Sequence, residues 1–209
     1  MLVSMTYADF LRPGEKRRAL LYDIALIIGG SLLIGLCARL AVVLPFSPVP
    51  VTGQTFAVLV IGMLLGSWRG SLCVLAYIME GAAGLGVFAM GRSGLGVLFG
   101  PTGGYLIGFI FAAYVTGFLA ERGWDRRVWT TILAMLLGNV TLYAFGLGVL
   151  FCLMGFNKAT LTVGLYPFIV GDILKVLIAA VILPSGWRLL GATGLPTKGS
   201  EQRKLDKKS

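Results

Sequence analysis

Asp172 and Lys175 stand three residues apart in "YPFIVGDILKVLIAA", inside a stretch otherwise apolar enough for a membrane. On a helix that spacing places both side chains on one face. A charged side chain at the centre of a membrane span costs at least about 2.5 kcal/mol, so it persists where it is paired or used. Two uses fit this pair. One is an internal ion pair. The other is a site for a small polar solute, since an aspartate accepts from N–H donors and a lysine pairs with a carboxylate. Asn139 and Tyr143 are i, i+4 neighbours in "LLGNVTLYAFG". A buried asparagine needs hydrogen-bond partners, which a neighbouring helix or a ligand can supply. Glu80 in "YIMEGAAGLGVF" and Arg39 between "IGLCA" and "LAVVLPF" are the remaining charges in apolar surroundings. Glu80 either reaches water near the outer surface or contributes to the site. Arg39 either partners Glu80 or Asp172 or extends outward along its own aliphatic stem.

The residue types exclude most chemistry. The chain has no histidine, so no histidine-based triad can be built. "GLGVFA" at 84–89 fits a dinucleotide pattern but lacks the strand–turn–helix setting that gives the pattern meaning, and no Gly-x-x-x-x-Gly-Lys-Ser/Thr loop occurs. "VGD" at 170–172 is preceded by Ile169, and no second intramembrane aspartate shares its proton, so a two-aspartate site is absent. Cys37, Cys73 and Cys152 lie far apart in apolar stretches, without Cys-x-x-Cys spacing. They read as small buried hydrophobes. We expect no catalytic residue, no metal and no cofactor. What survives is solute binding without bond chemistry.

The elements that must carry these residues are membrane helices. Of 209 residues 57% are hydrophobic and 13% charged, where an ordinary soluble domain has about a quarter charged. Apolar runs of roughly 20 residues, each long enough to cross a bilayer, recur along the chain. They fall at about 20–44, 54–67, 70–88, 101–121, 129–153 and 160–183, with a break after Pro184. The second is too short to cross unaided and must be shielded by neighbours. The expected fold is an all-α integral membrane bundle of six transmembrane helices with both termini cytoplasmic. Residues 1–19 form a cytoplasmic segment, 20–184 the substrate-binding bundle, and 185–209 a basic tail without fixed structure.

Topology also accounts for the net charge of +9. Arg12, Lys16, Arg17 and Arg18, then Arg69, the three arginines of "ERGWDRR" and six cations of the tail fall on one side. Arg92 and Lys158 alone fall in outer loops. This is the positive-inside pattern of a cytoplasmic membrane protein, and no nucleic-acid partner is needed. With that orientation Tyr166 lies near the outer end of the last span, and the Asp172–Lys175 pair sits in the outer half of the bilayer.

Two further features concern packing and access. Ala25 with Gly29 and Ser31 with Gly35 have the small-xxx-small spacing that lets helix backbones approach in lipid. Such a face serves either internal packing or docking of another membrane subunit. "FSPVPVTGQTF" at 46–56 interrupts the apolar sequence with two prolines and four polar side chains, Ser47, Thr52, Gln54 and Thr55. Proline fixes φ and removes an N–H donor, which makes a stiff loop with fewer orphan amides. Irregular backbone at a membrane is tolerated where it lines a watery cavity. Thr52 and Gln54 would then stand at the rim of the solute site.

Four segments, "PFSPVPVTGQTFAVLVIGMLLG", "YIMEGAAGLGVFA", "GPTGGYLIGF" and "PFIVGDILK", occur in an order that resembles the BioY family, the biotin-specific S component of energy-coupling factor transporters. The resemblance runs from about Ser31 to Pro184. It departs at Gly86, where the family commonly has proline, and at Arg39, where a neutral polar residue is expected. The resemblance implies a six-helix protein that captures biotin from outside. It also implies partners: a transmembrane coupling subunit and two ATPase subunits, which would supply the ATP chemistry this chain lacks. The first helix would dock on the coupling subunit through Ser31 and Gly35, with Ala25 and Gly29. Asp172 would take the ureido N–H donors of biotin, Asn139 the ureido carbonyl, and Lys175 or an arginine the carboxylate. Phe88, Tyr105 and Tyr143 would wall the ring. An alternative of another class is an autonomous secondary transporter or channel for a small carboxylate-bearing solute, with Asp172 and Glu80 relaying protons. No inverted internal repeat is visible to support it.

Overall fold

The computed structural model describes residues 5–192. Its first element, α1 (Tyr7–Leu11), starts at a capping box. Thr6 Oγ1 accepts from the Asp9 amide while the Asp9 carboxylate accepts from Thr6. Helix α2 (Lys16–Arg39) follows. The proline-rich stretch then forms a minimal antiparallel hairpin, β1 (Ala41–Val42) paired with β2 (Val51–Thr52), Ala41 opposite Thr52. Helices α3 (Gln54–Leu65) and α4 (Ser67–Ala82) meet at an elbow of one residue, Gly66, whose φ of +89° suits glycine. A loop over 83–94 leads to the short α5 (Leu95–Leu98) and to α6 (Gly103–Ala120). Then come α7 (Val128–Met154), the short α8 (Lys158–Gly164) and α9 (Tyr166–Ala192).

The described residues are mostly helical. Four helices are long and apolar enough to cross a membrane: α2, α6, α7 and α9 with α8 leading into it. The chain is a multi-pass membrane protein. Helix α3 is 12 residues long. At 1.5 Å per residue it spans about 18 Å, against a hydrocarbon core of about 30 Å. The expected shielding is present, since α3 packs against α2, α4 and α6 and most of its residues are buried.

Four boundaries differ from the sequence expectation, one of them a break at Leu165 that divides the expected 160–183 span into α8 and α9. The first helix ends at Arg39, because residues 40–44 enter the hairpin. The third ends at Ala82, because Gly84, at φ +103°, turns the chain. The last helix does not stop after Pro184 but continues to Ala192. Proline removes one backbone donor, and membrane helices tolerate this when neighbours hold the freed region. Here Tyr7 Oη donates to the Leu183 carbonyl. Three residues beyond the proline, Trp187 Nε1 donates to Asp125 at 2.5 Å and its ring lies 4.4 Å from that of Tyr7. Asp125, outside the spanning helices, is fully buried, and burial pushes its pKa up to about 6. The tail beyond residue 192 lies outside the described residues.

The same end of the bundle carries the charges expected inside. Arg69, at the start of α4, donates to Asp9 and Asp23 at 2.8 Å each, and Arg12 pairs with Asp23 at 2.6 Å. These bonds strap α1 and the start of α2 across this end of the bundle. The opposite end gathers the start of α3, the end of α4, the start of α6 and the start of α9, and it holds the candidate site.

Candidate functional site

Asp172 is buried on the second turn of α9. Its Oδ1 accepts from Lys175 Nζ at 3.1 Å and from Thr55 Oγ1 at 3.4 Å, and its Oδ2 accepts from Tyr143 Oη. Lys175 Nζ also donates to Thr55 Oγ1 at 2.7 Å and to the Thr52 carbonyl at 3.0 Å. All three ammonium donors are therefore used. The predicted pair exists, and it is more than an ion pair. It ties α9 to α7 and to the start of α3, and it orients two hydroxyls.

Those hydroxyls face an open cleft bounded by the hairpin, the loop over 83–94 and the helices α3, α6, α7 and α9. Thr52, Gln54 and Thr55 supply its polar side. Gln54 Oε1 accepts from Thr52 Oγ1 at 3.1 Å, and its Nε2 donates to the buried Tyr77 hydroxyl. Tyr105, Tyr143 and Phe168 form an aromatic corner, with ring centroids 6.1–6.4 Å apart. Tyr105 Oη is fixed by donating to the Gly164 carbonyl at 2.6 Å. Phe88 closes another wall, its ring edge-on to Tyr77 at 5.5 Å. Arg92 is exposed and lines the cleft from the loop over 83–94. The hairpin borders the cleft through Val49, Pro50 and Thr52, and Ser47 anchors it by donating to the Val163 carbonyl at 2.7 Å.

The structure thus brings Thr52, Gln54, Phe88, Tyr105 and Tyr143 together at the cleft, with Asp172 and Lys175 directly behind Thr55 and Tyr143. Two predicted residues stand apart. Asn139 lies one turn deeper than Tyr143, buried, with Oδ1 lacking a hydrogen-bond partner, and it is not among the lining residues. Glu80 faces α2 instead, where its Oε1 accepts from Ser31 Oγ at 2.7 Å. Sequence reasoning missed Thr55, Phe168 and the part played by Arg92. Thr55 was marked only by its place in the polar run "VTGQT", and Phe168 by standing one helical turn before Asp172. Arg39 pairs with neither Glu80 nor Asp172. Its Nη2 donates to the Gly86 carbonyl at 2.7 Å.

The small-residue faces of α2 divide. Ser31 and Gly35 are buried within the bundle, and a Cβ on Gly35 would meet Val87 at 3.4 Å. They are internal packing residues, which corrects their assignment to a docking face. Ala25 and Gly29 are exposed, and a Cβ on Gly29 would meet nothing within 4 Å.

A cleft with one polar wall, one aromatic corner and a cation can hold a small amphipathic anion with ring donors and acceptors. A family model for the "BioY family" matches residues 12–192. The chain belongs to the BioY family. Among BioY relatives, a biotin transporter of Rhizobium etli is 40% identical over 146 residues, covering 66% of this chain and 78% of that protein. One of Thermotoga maritima is 40% identical over 139 residues, covering 66% and 81%. One of Rhodobacter capsulatus is 39% identical over 170 residues, covering 72% and 88%. In fold, this BioY chain is similar to a crystal structure described as the S-component for biotin from an ECF-type ABC transporter. The TM-score is 0.74 at 24% identity, over 84% of this chain and 95% of that one.

Proposed function

We propose that this BioY-family protein captures biotin in the cleft and carries it across the cytoplasmic membrane as the substrate-specific subunit of an ECF-type transporter. The observation that carries the reading is the match between the cleft's three chemical zones and the three parts of biotin. The ureido ring has two N–H donors and a carbonyl. It lies against Thr55, Tyr143 and Gln54, whose polarity is set from behind by Asp172 and Lys175. The thioether ring packs between Tyr105, Phe168 and Phe88. The carboxylate meets Arg92 at the mouth, since Lys175 has no donor left for it. The relatives named as biotin transporters support the same substrate. The protein binds and moves its solute unchanged and is not an enzyme.

The bundle is read with six membrane helices, α2, α3, α4, α6, α7 and α9, and both termini cytoplasmic. The distribution of lysine and arginine supports this orientation. The cleft then opens outward, and the partners are a transmembrane coupling subunit within the bilayer and two ATPase subunits on its cytoplasmic side. Calorimetric titration of the detergent-purified protein tests the substrate. Biotin should bind one-to-one, and nonanoate, which offers a carboxylate and chain without the ring, should bind far more weakly. No heat with biotin, or equal affinities, would remove the reading.

Docking is assigned to the exposed side of α2, where Ala25 and Gly29 lie beside Leu21, Leu32 and Leu36. Gly29→Leu should weaken co-purification with the coupling subunit and leave biotin affinity within about twofold, because close helix approach in lipid depends on small residues. Wild-type co-purification of that variant would place the docking face elsewhere.

A further inference from the structure

We propose that Arg39 is a positioning residue for ligand capture: from the last turn of α2 it fixes the loop over 83–94 that carries Phe88 and Arg92 to the cleft. The ligand contacts invoked rest on the biotin reading above.

The loop needs an external tie. It holds four residues at positive φ: Gly84, Met90, Gly91 and Gly94, the methionine at +62° without glycine's freedom. Within it, the Phe88 amide donates to the Arg92 carbonyl at 3.1 Å and the Gly91 amide donates to the Phe88 carbonyl at 2.9 Å. This pinched turn sets Phe88 and Arg92 side by side. At its far end the Gly94 amide donates to the Gly81 carbonyl at 2.7 Å, and at its buried face Phe88 lies against Gly81 and Tyr77. The outer side of the loop has no such packing, since Leu85 and Met90 are exposed.

Arg39 supplies the missing contact. One arm of its guanidinium donates to the Gly86 carbonyl at 2.7 Å. The other lies so close to Gly91 that a Cβ there would stand 2.9 Å from Nη1. A planar, rigid fork suits two points on a loop better than an ammonium does. Four residues earlier on α2, Gly35 lets Val87 approach, so the helix touches the loop at two successive turns. Helix α2 thus sets the cleft wall through one side while its opposite side stays exposed.

The test uses the full-length protein in detergent, with biotin dissociation followed by stopped flow and hydrogen exchange measured on peptides covering 83–94. Arg39→Gln should speed dissociation of biotin about 3- to 10-fold, the range of an ordinary hydrogen bond, since the Arg39–Gly86 bond is exposed to solvent. It should leave association nearly unchanged and raise exchange in that loop. Arg39→Lys should restore the loss only in part. A purely electrostatic attraction of the anion predicts the reverse: slower, salt-dependent association fully restored by lysine. That result would overturn the proposal. Wild-type exchange in 83–94, or wild-type dissociation, would overturn it equally. Arg92→Gln run alongside separates the two readings. Wild-type biotin affinity in that variant would remove Arg92 as the carboxylate partner, while the dissociation and exchange data for Arg39→Gln would still decide the role of Arg39.

Discussion

Asp172→Asn should lower biotin affinity about 10- to 150-fold, the equivalent of losing a charge-assisted hydrogen bond of about 1.5–3 kcal/mol in a desolvated site. The substitution keeps size and removes charge. Tyr143 Oη loses a carboxylate acceptor, and Lys175 is left among the Thr52 carbonyl, the Thr55 hydroxyl and a neutral amide. Both cleft hydroxyls that Asp172 orients are then free to turn away. Membrane insertion should be normal, because a neutral amide replaces a charge. Leu177→Ala is the control. Leu177 is 52% exposed and points about 180–200° away from Lys175 around the helix. Calorimetry should find its biotin affinity within about twofold of wild type. Wild-type affinity in Asp172→Asn would leave the pair as a structural tie between α9 and α3.

The pair itself was legible because its two members are neighbours on one helix and both are costly in lipid. Its partners were not. Thr55 lies 117 residues from Asp172 and Tyr143 lies 29 away, and neither is an unusual residue for its segment. Only the fold sets them at one point. The helix bundle was legible from apolar run length, and so was the exposed need of α3 for neighbours. The end of α9 was not, because the rule that proline ends a helix gives way once Tyr7 and Asp125 anchor the turns around it. The docking face shows a third kind of shortfall. Spacing identified Ala25–Gly29 and Ser31–Gly35 alike, yet Gly29 and Ser31 are about 200° apart at 3.6 residues per turn, so one partner cannot cover both. Which stripe faces inward depends on Glu80, Cys73 and Val87, all distant in sequence.

Gly117→Leu should abolish accumulation of folded protein, and Gly117→Ala should lower its thermal midpoint measurably. A Cβ at this position on α6 would stand 2.3 Å from the Ser67 nitrogen and 2.4 Å from the Gly66 carbonyl carbon. Both are backbone atoms of the elbow between α3 and α4, which no rotamer change can move aside. One helical turn along, the same three elements meet again. A Cβ on Gly62 would lie 2.5 Å from the Ala113 carbonyl oxygen, and one on Gly70 would lie 2.8 Å from the Gly62 Cα. Overpacking that side chains can absorb costs about 1–3 kcal/mol, and backbone against backbone belongs at or beyond the upper end. Separated helices regain little in lipid, because no hydrophobic term distinguishes a helix partner from acyl chains. The short α3 depends most on this contact, and it carries Gln54 and Thr55 into the cleft. Biotin should therefore raise the thermal midpoint of Gly117→Ala less than that of wild type. Gly29→Leu, with open space at its Cβ, should accumulate and unfold like wild type in size-exclusion and thermal-unfolding experiments. A wild-type midpoint for Gly117→Ala would show that the elbow can yield, and that the site does not depend on the approach of α3, α4 and α6.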